Sequence, residues 1–537
     1  MIMLSDHDYI VVGSGFTALA FIDEMMSVQP KANVLCIEAG NDDYQTHYKG
    51  LLRATTTNDK VTVAQPDVAP GNFPWQLSHA TRCSTSLNAC AGACHLLGGR
   101  SNYWYGWCLR PEPEQMRDFP DSMVEASKQP IFWHRAQSLL NVYSIQAVVS
   151  EASQELQAGL DSALDNVQSA VPSILNCTPA LFAKGFTARG VLSRYRVIDR
   201  LRRLTSPAKA GSMELLLQRK VLKLRCGSGD NHARLIETDQ GDIHLTNADT
   251  KVILCAGTIP NTTILFRSFP VLGQTLGRRV TGHFRSHIFA RIPRTAFGED
   301  LRIPESSCSW GSAATVLIGL DLESGRQYHI QLSIFHCPNY SGNYHEIVSE
   351  LPRYGTVPVE GHLEGLGDGI LISCATLGEF GPNKASWLRS VPDAAYDEPS
   401  VELQLSLDET DKKLWDLMDT ATCDAIENIA RVPSNVEYWH EAAASWTSAR
   451  PIETDVRSPV LVHEASCTPV GEVLDEQFRV IGCENVFVTG SGILPTAGSW
   501  NPTLTIVAFA QELARISAAG RGDAEPTEPL SHTGDQG

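Results

Sequence analysis

Hydrophobic and polar positions follow two different periods along this chain of 537 residues. Near its start, "HDYIVVGSGFTALAFIDEMM" runs from an apolar strand-length stretch through a glycine-rich turn into a segment with helical apolar spacing, and "NVLCIEAG" follows as a second apolar strand. That order predicts a βαβ unit and the edge of a parallel sheet. Further on, "MELLLQRKVLKLRC" and "ARLIETDQGDIHLTNADTKVILCAGTIPNTTILFRS" read as strand, hairpin and strand, the last running into a helix at Pro260 and joining the first sheet by a second crossover. From about residue 300 to 405, "ATVLIGLDL", "QYHIQLSIFHC", "GILISCATLG" and "VELQLSLDE" alternate or run apolar in strand-length pieces, the pattern of one mostly antiparallel sheet. An amphipathic helix is predicted over about Glu409 to Arg431. Towards the C-terminus, "NVFVTG" predicts a buried strand, "SGILPTAGSWNP" a Gly/Pro-punctuated loop, and "TLTIVAFAQELARI" a helix with Pro502 and Thr503 in its first turn. Residues 45 to 95 read as irregular, residues 111 to 204 as helical and polar, and the tail after Gly520 as disordered.

Composition narrows the function more than the fold. A chain of this length that is 43% hydrophobic can bury large cores, and its length points to about two or three domains. A net charge of −18 argues against nucleic acid or an anionic membrane surface as partner. "MIMLSDHD" meets Asp6 and Asp8 at once, so no secretory leader is expected, and no apolar run approaches a membrane span. Fourteen cysteines, several inside apolar strands (Cys36, Cys255, Cys374), fit a reducing, cytoplasmic setting. Cys83, Cys90 and Cys94 lack the paired spacing of a zinc or redox motif and read as ordinary thiols, so no metal is expected.

Two places carry candidate chemistry. Gly13-Ser14-Gly15-Phe16-Thr17-Ala18 is the G-x-G-x-x-A form of a dinucleotide fingerprint: Gly13 for the tight turn, Gly15 for close approach to a pyrophosphate, and small Ala18 for helix–strand packing. Glu38, at the end of the next strand, is placed to accept hydrogen bonds from ribose hydroxyls. At the other end of the chain, the helix after Asn501 points free N–H groups and a positive dipole end at the loop before it, where an electron-rich heterocycle or a developing anion would be stabilised. His463 lies upstream, the side-chain type best suited to taking a proton near neutral pH. In "HLLGGRSNYWYGWCLRP", Gly98 and Gly99 let the backbone pass close to something bulky, and the aromatics after them could form a wall.

These residues resemble the glucose-methanol-choline (GMC) oxidoreductases. The likeness rests on the first βαβ unit with Glu38, on "LGGRSNYW", on "VILCAGTIPN", and on His463 to Ile516, where "PTAGSWNPTLTIVAFA" is similar to the family's signature helix start. The glycine pair before "SNYW" looks most like the pyranose oxidase branch. The resemblance implies an α/β fold in which a discontinuous Rossmann-like FAD-binding domain is interrupted by an α+β, sheet-based substrate domain. On this reading residues 1–110, 205–299 and 456–520 build the FAD domain. Residues 111–204 form a helical excursion or lid, 300–455 the substrate domain, and 521–537 a tail. Gly13, Gly15, Ala18 and Glu38 are expected at the ADP half of FAD, Val221 at the adenine, and Ala256 and Gly257 near the ribose. Gly99, Asn102, Gly490, Pro502 and Thr503 are expected around the flavin, with His463 and Asn501 as the catalytic pair.

Oxidation of an alcohol by hydride transfer requires the hydroxyl to lose its proton, so His463 is expected to act as base and Asn501 to donate its amide to the same oxygen. Pyranose oxidases usually carry a flavin-linking histidine where this chain has Tyr103, so FAD is expected to be non-covalent. Tyr105 replaces the family's threonine beside the flavin. With Trp500 near the pair, this suggests a pocket for an aromatic or polycyclic alcohol or a glycoside rather than a free hexose. Three readings follow: an FAD-dependent oxidoreductase acting on a small-molecule alcohol with oxygen or another acceptor; a GMC-fold lyase or cyclase using the same base; and a nicotinamide-linked dehydrogenase or non-catalytic nucleotide binder. Oligomerisation is compatible with any of them.

Overall fold

The computed structural model describes residues 3–42, 53–57, 60–64, 75–76, 81–85, 88–89, 93–102, 104–144, 151–186, 192–205, 213–227, 229–297, 310–338, 340, 360–391 and 401–519. The apolar runs at the two ends and the middle of the chain meet in one five-stranded sheet. Its strands are β1 (Tyr9–Val12), β2 (Val34–Ile37), β3 (Met213–Leu216), β4 (Lys251–Leu254) and β10 (Val486–Val488), in the order β3-β2-β1-β4-β10. Every pairing is parallel, and β1, β2 and β10 are buried along their whole length, which is why they read as unbroken apolar runs. Helix α1 (Phe16–Val28) returns the chain from β1 to β2 and packs against α4 (Thr503–Ala519). Helix α2 (Thr258–Ser268) leaves β4 and starts at the predicted crossover. Gly13 is fixed by sterics: its φ is +97° and an added Cβ would lie 2.8 Å from the Ala256 Cα and the Cys255 carbonyl oxygen, so any side chain would push β1 away from β4.

The second layer is a nine-stranded, almost wholly antiparallel sheet centred on β5 (Thr281–Ile292), β6 (Gly311–Leu320), β7 (Gln327–His336) and β8 (Ile370–Phe380), ordered β6-β7-β8-β5. It reaches beyond residues 300–455. Ile174–Pro179 pairs with β6, the start of β5 pairs with β9 (Arg457–Ala465), and the end of β5 pairs with Glu437–His440. Helix α3 (Glu409–Ala430) covers one face, where Trp415 stacks on Phe284 at 4.6 Å and donates from Nε1 to the Ser286 hydroxyl at 2.8 Å. Its start is held by a capping box in which Asp411 N–H donates to Asp408 and Asp408 N–H to Asp411, a device contributing about 1 kcal/mol.

Two sequence expectations change. Residues 45–95 are not simply irregular: Arg53–Thr57 and Lys60–Ala64 form a hairpin, and Thr81–Thr85 pairs in parallel with Val401–Leu405. Residues 111–204 mix helices (Asp121–Lys128, Pro130–Leu140, Glu151–Leu164, Val197–Leu204) with strands such as Ile174–Pro179 and Leu181–Phe186. Tyr103, Cys90 and the tail beyond Ala519 lie outside the described residues. Among the described residues no helix is long and apolar enough to cross a membrane.

Candidate active site

Between the two sheets lies an elongated cavity of about 550 Å³. Twelve of the fourteen residues singled out from the sequence line it: Gly13, Gly15, Glu38, Gly99, Val221, Ala256, Gly257, His463, Gly490, Asn501, Pro502 and Thr503. Ala18 does not. It is fully buried inside α1 and serves the packing of that helix on the sheet. Asn102 is also absent from the wall, because its side-chain amide turns back to the carbonyls of Leu97 and Gly99, at 3.0 Å each. Trp500 is buried against Phe119 rather than facing the cavity, whereas Trp104, Tyr105 and Trp107 do line it.

One end of the cavity is built by the glycine turn. A Cβ on Gly15 would meet nothing within 4 Å, so the turn leaves open space where its backbone N–H groups face outward. Glu38 sits at the end of β2, its carboxylate accepting from Ser14 N–H at 3.1 Å, the Ser14 hydroxyl at 2.5 Å and Gly40 N–H at 2.8 Å. Burial outweighs these hydrogen bonds and pushes its pKa up to about 7.

The other end is built by β9 and by the start of α4. Four residues of β9, Val462 to Ala465, oppose three of β5, Thr281 to His283, so the strand bulges at His463. His463 has a left-handed φ of 61°, a conformation that costs a non-glycine residue about 1–3 kcal/mol and re-aims its ring into the cavity. The bulge is pinned on both sides: the Glu464 carbonyl accepts from the hydroxyls of Thr258 (2.8 Å) and Ser491 (2.9 Å), and the buried Glu464 carboxylate pairs with Arg100.

A chain of hydrogen bonds then sets the protons. His283 Nε2 lies 2.8 Å from the Gly498 carbonyl, which only accepts, so that nitrogen carries the hydrogen. His283 Nδ1 is therefore a bare acceptor and faces His463 Nδ1 at 2.9 Å, which must donate. What remains on His463 is an unprotonated Nε2. Burial and the neighbouring His283 and His329 rings hold the His463 pKa well below its ordinary value, and His283 itself is lowered to about 4, so both rings are neutral near pH 7. Asn501 is oriented in the same manner. Its Oδ1 accepts from Gln331 Nε2 at 2.6 Å across the cavity, leaving the Nδ2 hydrogens as the available donors. The first helical hydrogen bond of α4 runs from Ile506 N–H to the Pro502 carbonyl, and the Asn501 side chain is committed to Gln331 instead of capping the helix.

His283, His329, Gln331, Arg100, Arg285 and Glu464 were not singled out from the sequence. The signal was present in β5 and β7: "HFRSH" and "YHIQL" set polar side chains at every second position of otherwise apolar strands, which puts His283, Arg285 and His287, and also His329 and Gln331, on the face opposite α3. His336 and His440 lie elsewhere: His336 pairs with Asp368 at 3.0 Å and His440 with Asp455 at 3.0 Å, and neither lines the cavity.

Part of the chain matches a known family model. Residues 382–510, which contain both His463 and Asn501, match the family model of the GMC oxidoreductase C-terminal domain. A solved structure, that of pyridoxine 4-oxidase from Mesorbium loti, shares the fold with a TM-score of 0.57 at 14% sequence identity, over 95% of this chain and 98% of that one. No curated protein matches the sequence. The segment that carries the cavity's histidine and asparagine is thus similar to the GMC oxidoreductase C-terminal domain, and the fold is shared over nearly the whole chain with that solved structure.

Proposed function

We propose that this chain is an FAD-dependent oxidoreductase that oxidises an alcohol, with His463 as the base and Asn501 as the oxygen-orienting donor. The observation that carries the reading is the ordered proton chain from Gly498 through His283, which leaves His463 Nε2 unprotonated in the same cavity as the Asn501 amide. The residues fit FAD. Gly15 leaves open space at the turn, Glu38 offers a carboxylate at the ribose position, and the start of α4 adds Pro502, Thr503 and a positive dipole end where the ring system would lie. When bound, the flavin supplies the acceptor for the substrate's hydride. His463 Nε2 takes the hydroxyl proton, His283 holds the imidazolium that results, and Asn501 Nδ2 donates to the alkoxide oxygen as its charge grows. Trp104, Tyr105 and Leu377 exclude water and offer apolar and stacking contact to the substrate body.

The experiment is purification followed by anaerobic addition of candidate alcohols. A yellow protein that releases FAD on acid denaturation and whose visible band bleaches with an alcohol supports the reading. A flavin-free protein that cannot be reconstituted sinks it, and flavin left on the denatured chain sinks non-covalent binding.

A further inference from the structure

Arg285, a cation of the cavity wall, has no counter-charge among the described residues. It points from β5 into the cavity, two residues along the same strand face from His283. Its Nε is buried without a hydrogen-bond partner, and among the described residues its guanidinium has no ion pair. Its neighbours do not supply one. Across β8 it faces Leu377 and beyond it His329, on β9 it faces Ser458, and along its own strand it lies between two histidines. The carboxylates near this face are committed: Glu464 pairs with Arg100, and Glu379 accepts from the Thr496 hydroxyl at 2.5 Å and Gln327 N–H at 3.1 Å. Glu38, the other acid of the cavity wall, is held by Ser14 and Gly40 at the far end. A guanidinium half out of water beside three neutral imidazoles carries a desolvation cost that a bidentate oxyanion would offset.

On the reading that His463 and Asn501 act on an alcohol, we infer that the substrate is a hydroxy acid whose carboxylate docks on Arg285. Arg285 lies about 7 Å along β5 from the His283 that bonds His463, and both Arg285 and His463 line the cavity, so one compact substrate with a short spacer between carboxylate and hydroxyl would reach both. Leu377, Ala375 and Tyr105 line the cavity and would contact that spacer.

The test is calorimetric titration of the flavin-loaded protein with benzoate, phenylacetate and hexanoate, each beside its amide. Carboxylates should bind about 10- to 100-fold tighter than their amides, the range for a charge-assisted pair. Arg285→Gln should erase that preference and Arg285→Lys should keep part of it. Amides binding as tightly as acids throughout the series overturns the inference without using any variant. So does a preference that survives Arg285→Gln, or an Arg285→Gln effect confined to the flavin midpoint potential. Because inert ligands are used, this outcome is independent of whether any alcohol bleaches the flavin. Oxidation of 4-(hydroxymethyl)benzoate in preference to its amide, lost with Arg285→Gln as a rise in KM rather than a fall in kcat, would carry the inference to turnover.

Discussion

At the scale of single residues, the site is a proton-ordering device. His463→Ala should keep fold and flavin yet slow anaerobic bleaching by roughly 10²–10⁴-fold, the range for a positioned base. Asn501→Ala should slow the same step, and Asn501→Asp should be worse because it places negative charge where the alkoxide forms; stopped-flow absorbance measures both. On the proposed roles the two act on one oxygen, so the double variant should be less than additive. His283 makes a sharper prediction. Its ring donates to Gly498 and accepts from His463, and a glutamine amide can reproduce both polarities while alanine can reproduce neither. His283→Ala should therefore cost about 10²-fold in the bleaching rate, through loss of base orientation, and His283→Gln should recover most of it. Equal loss in both variants would show that His283 is only packing. His463 and Asn501 were legible because they flank a recognisable loop and helix. His283, Arg285 and Gln331 were not, since their shared role exists only once β5, β7 and β8 are in register.

At the scale of elements, what the sequence made plain was periodicity, and what it concealed was long-range pairing. The parallel strands and α1, α3 and α4 are continuous apolar or amphipathic runs, so their identity is local. Thr81–Thr85 is a strand only because Val401–Leu405 lies beside it, and nothing within residues 45–95 announces that partner. The bulge in β9 is equally non-local, since the extra residue is counted against β5. Where these elements meet, three imidazoles are buried together, and this gives the sheet an acid-sensitive seam. All three folded pKa values lie below the ordinary 6.5, His283 near 4 and His329 near 3. For a histidine whose pKa is depressed by folding, the stabilising contribution is present above about 6.5 and is lost as pH falls towards the folded value. The protein should lose stability between about pH 6.5 and 4 by up to roughly 1.4 kcal/mol per pH unit for each buried ring. Thermal melts across that window check this: His329→Gln should flatten the slope, and an unchanged slope would mean that the rings are hydrated.

At the scale of the whole molecule, the cavity is the contact between two sheets that are each built from distant parts of the chain, so a ligand filling it should hold the two layers together. FAD at one hundred times its Kd should raise the unfolding free energy by about 2.7 kcal/mol, visible as a concentration-dependent rise in Tm. Glu38 tunes this from one end. Its folded pKa is raised to about 7, so its contribution to the apo-protein is fully present below about 4.5 and is lost as pH rises through 7. If FAD binds as proposed, its ribose hydroxyls would donate to the ionised carboxylate, so bound FAD should favour the charged form and pull that pKa down. The FAD-dependent rise in Tm should therefore grow as pH rises towards about 7 and level off above it, while the apo-protein weakens between about pH 4.5 and 7 on account of this group. Glu38→Gln cannot ionise, so it should remove the pH dependence of the FAD increment and leave the apo-protein less sensitive to alkali. If the increment instead keeps its full pH dependence in Glu38→Gln, a group other than Glu38 meets the cofactor, and the end of β2 has lost its assigned role.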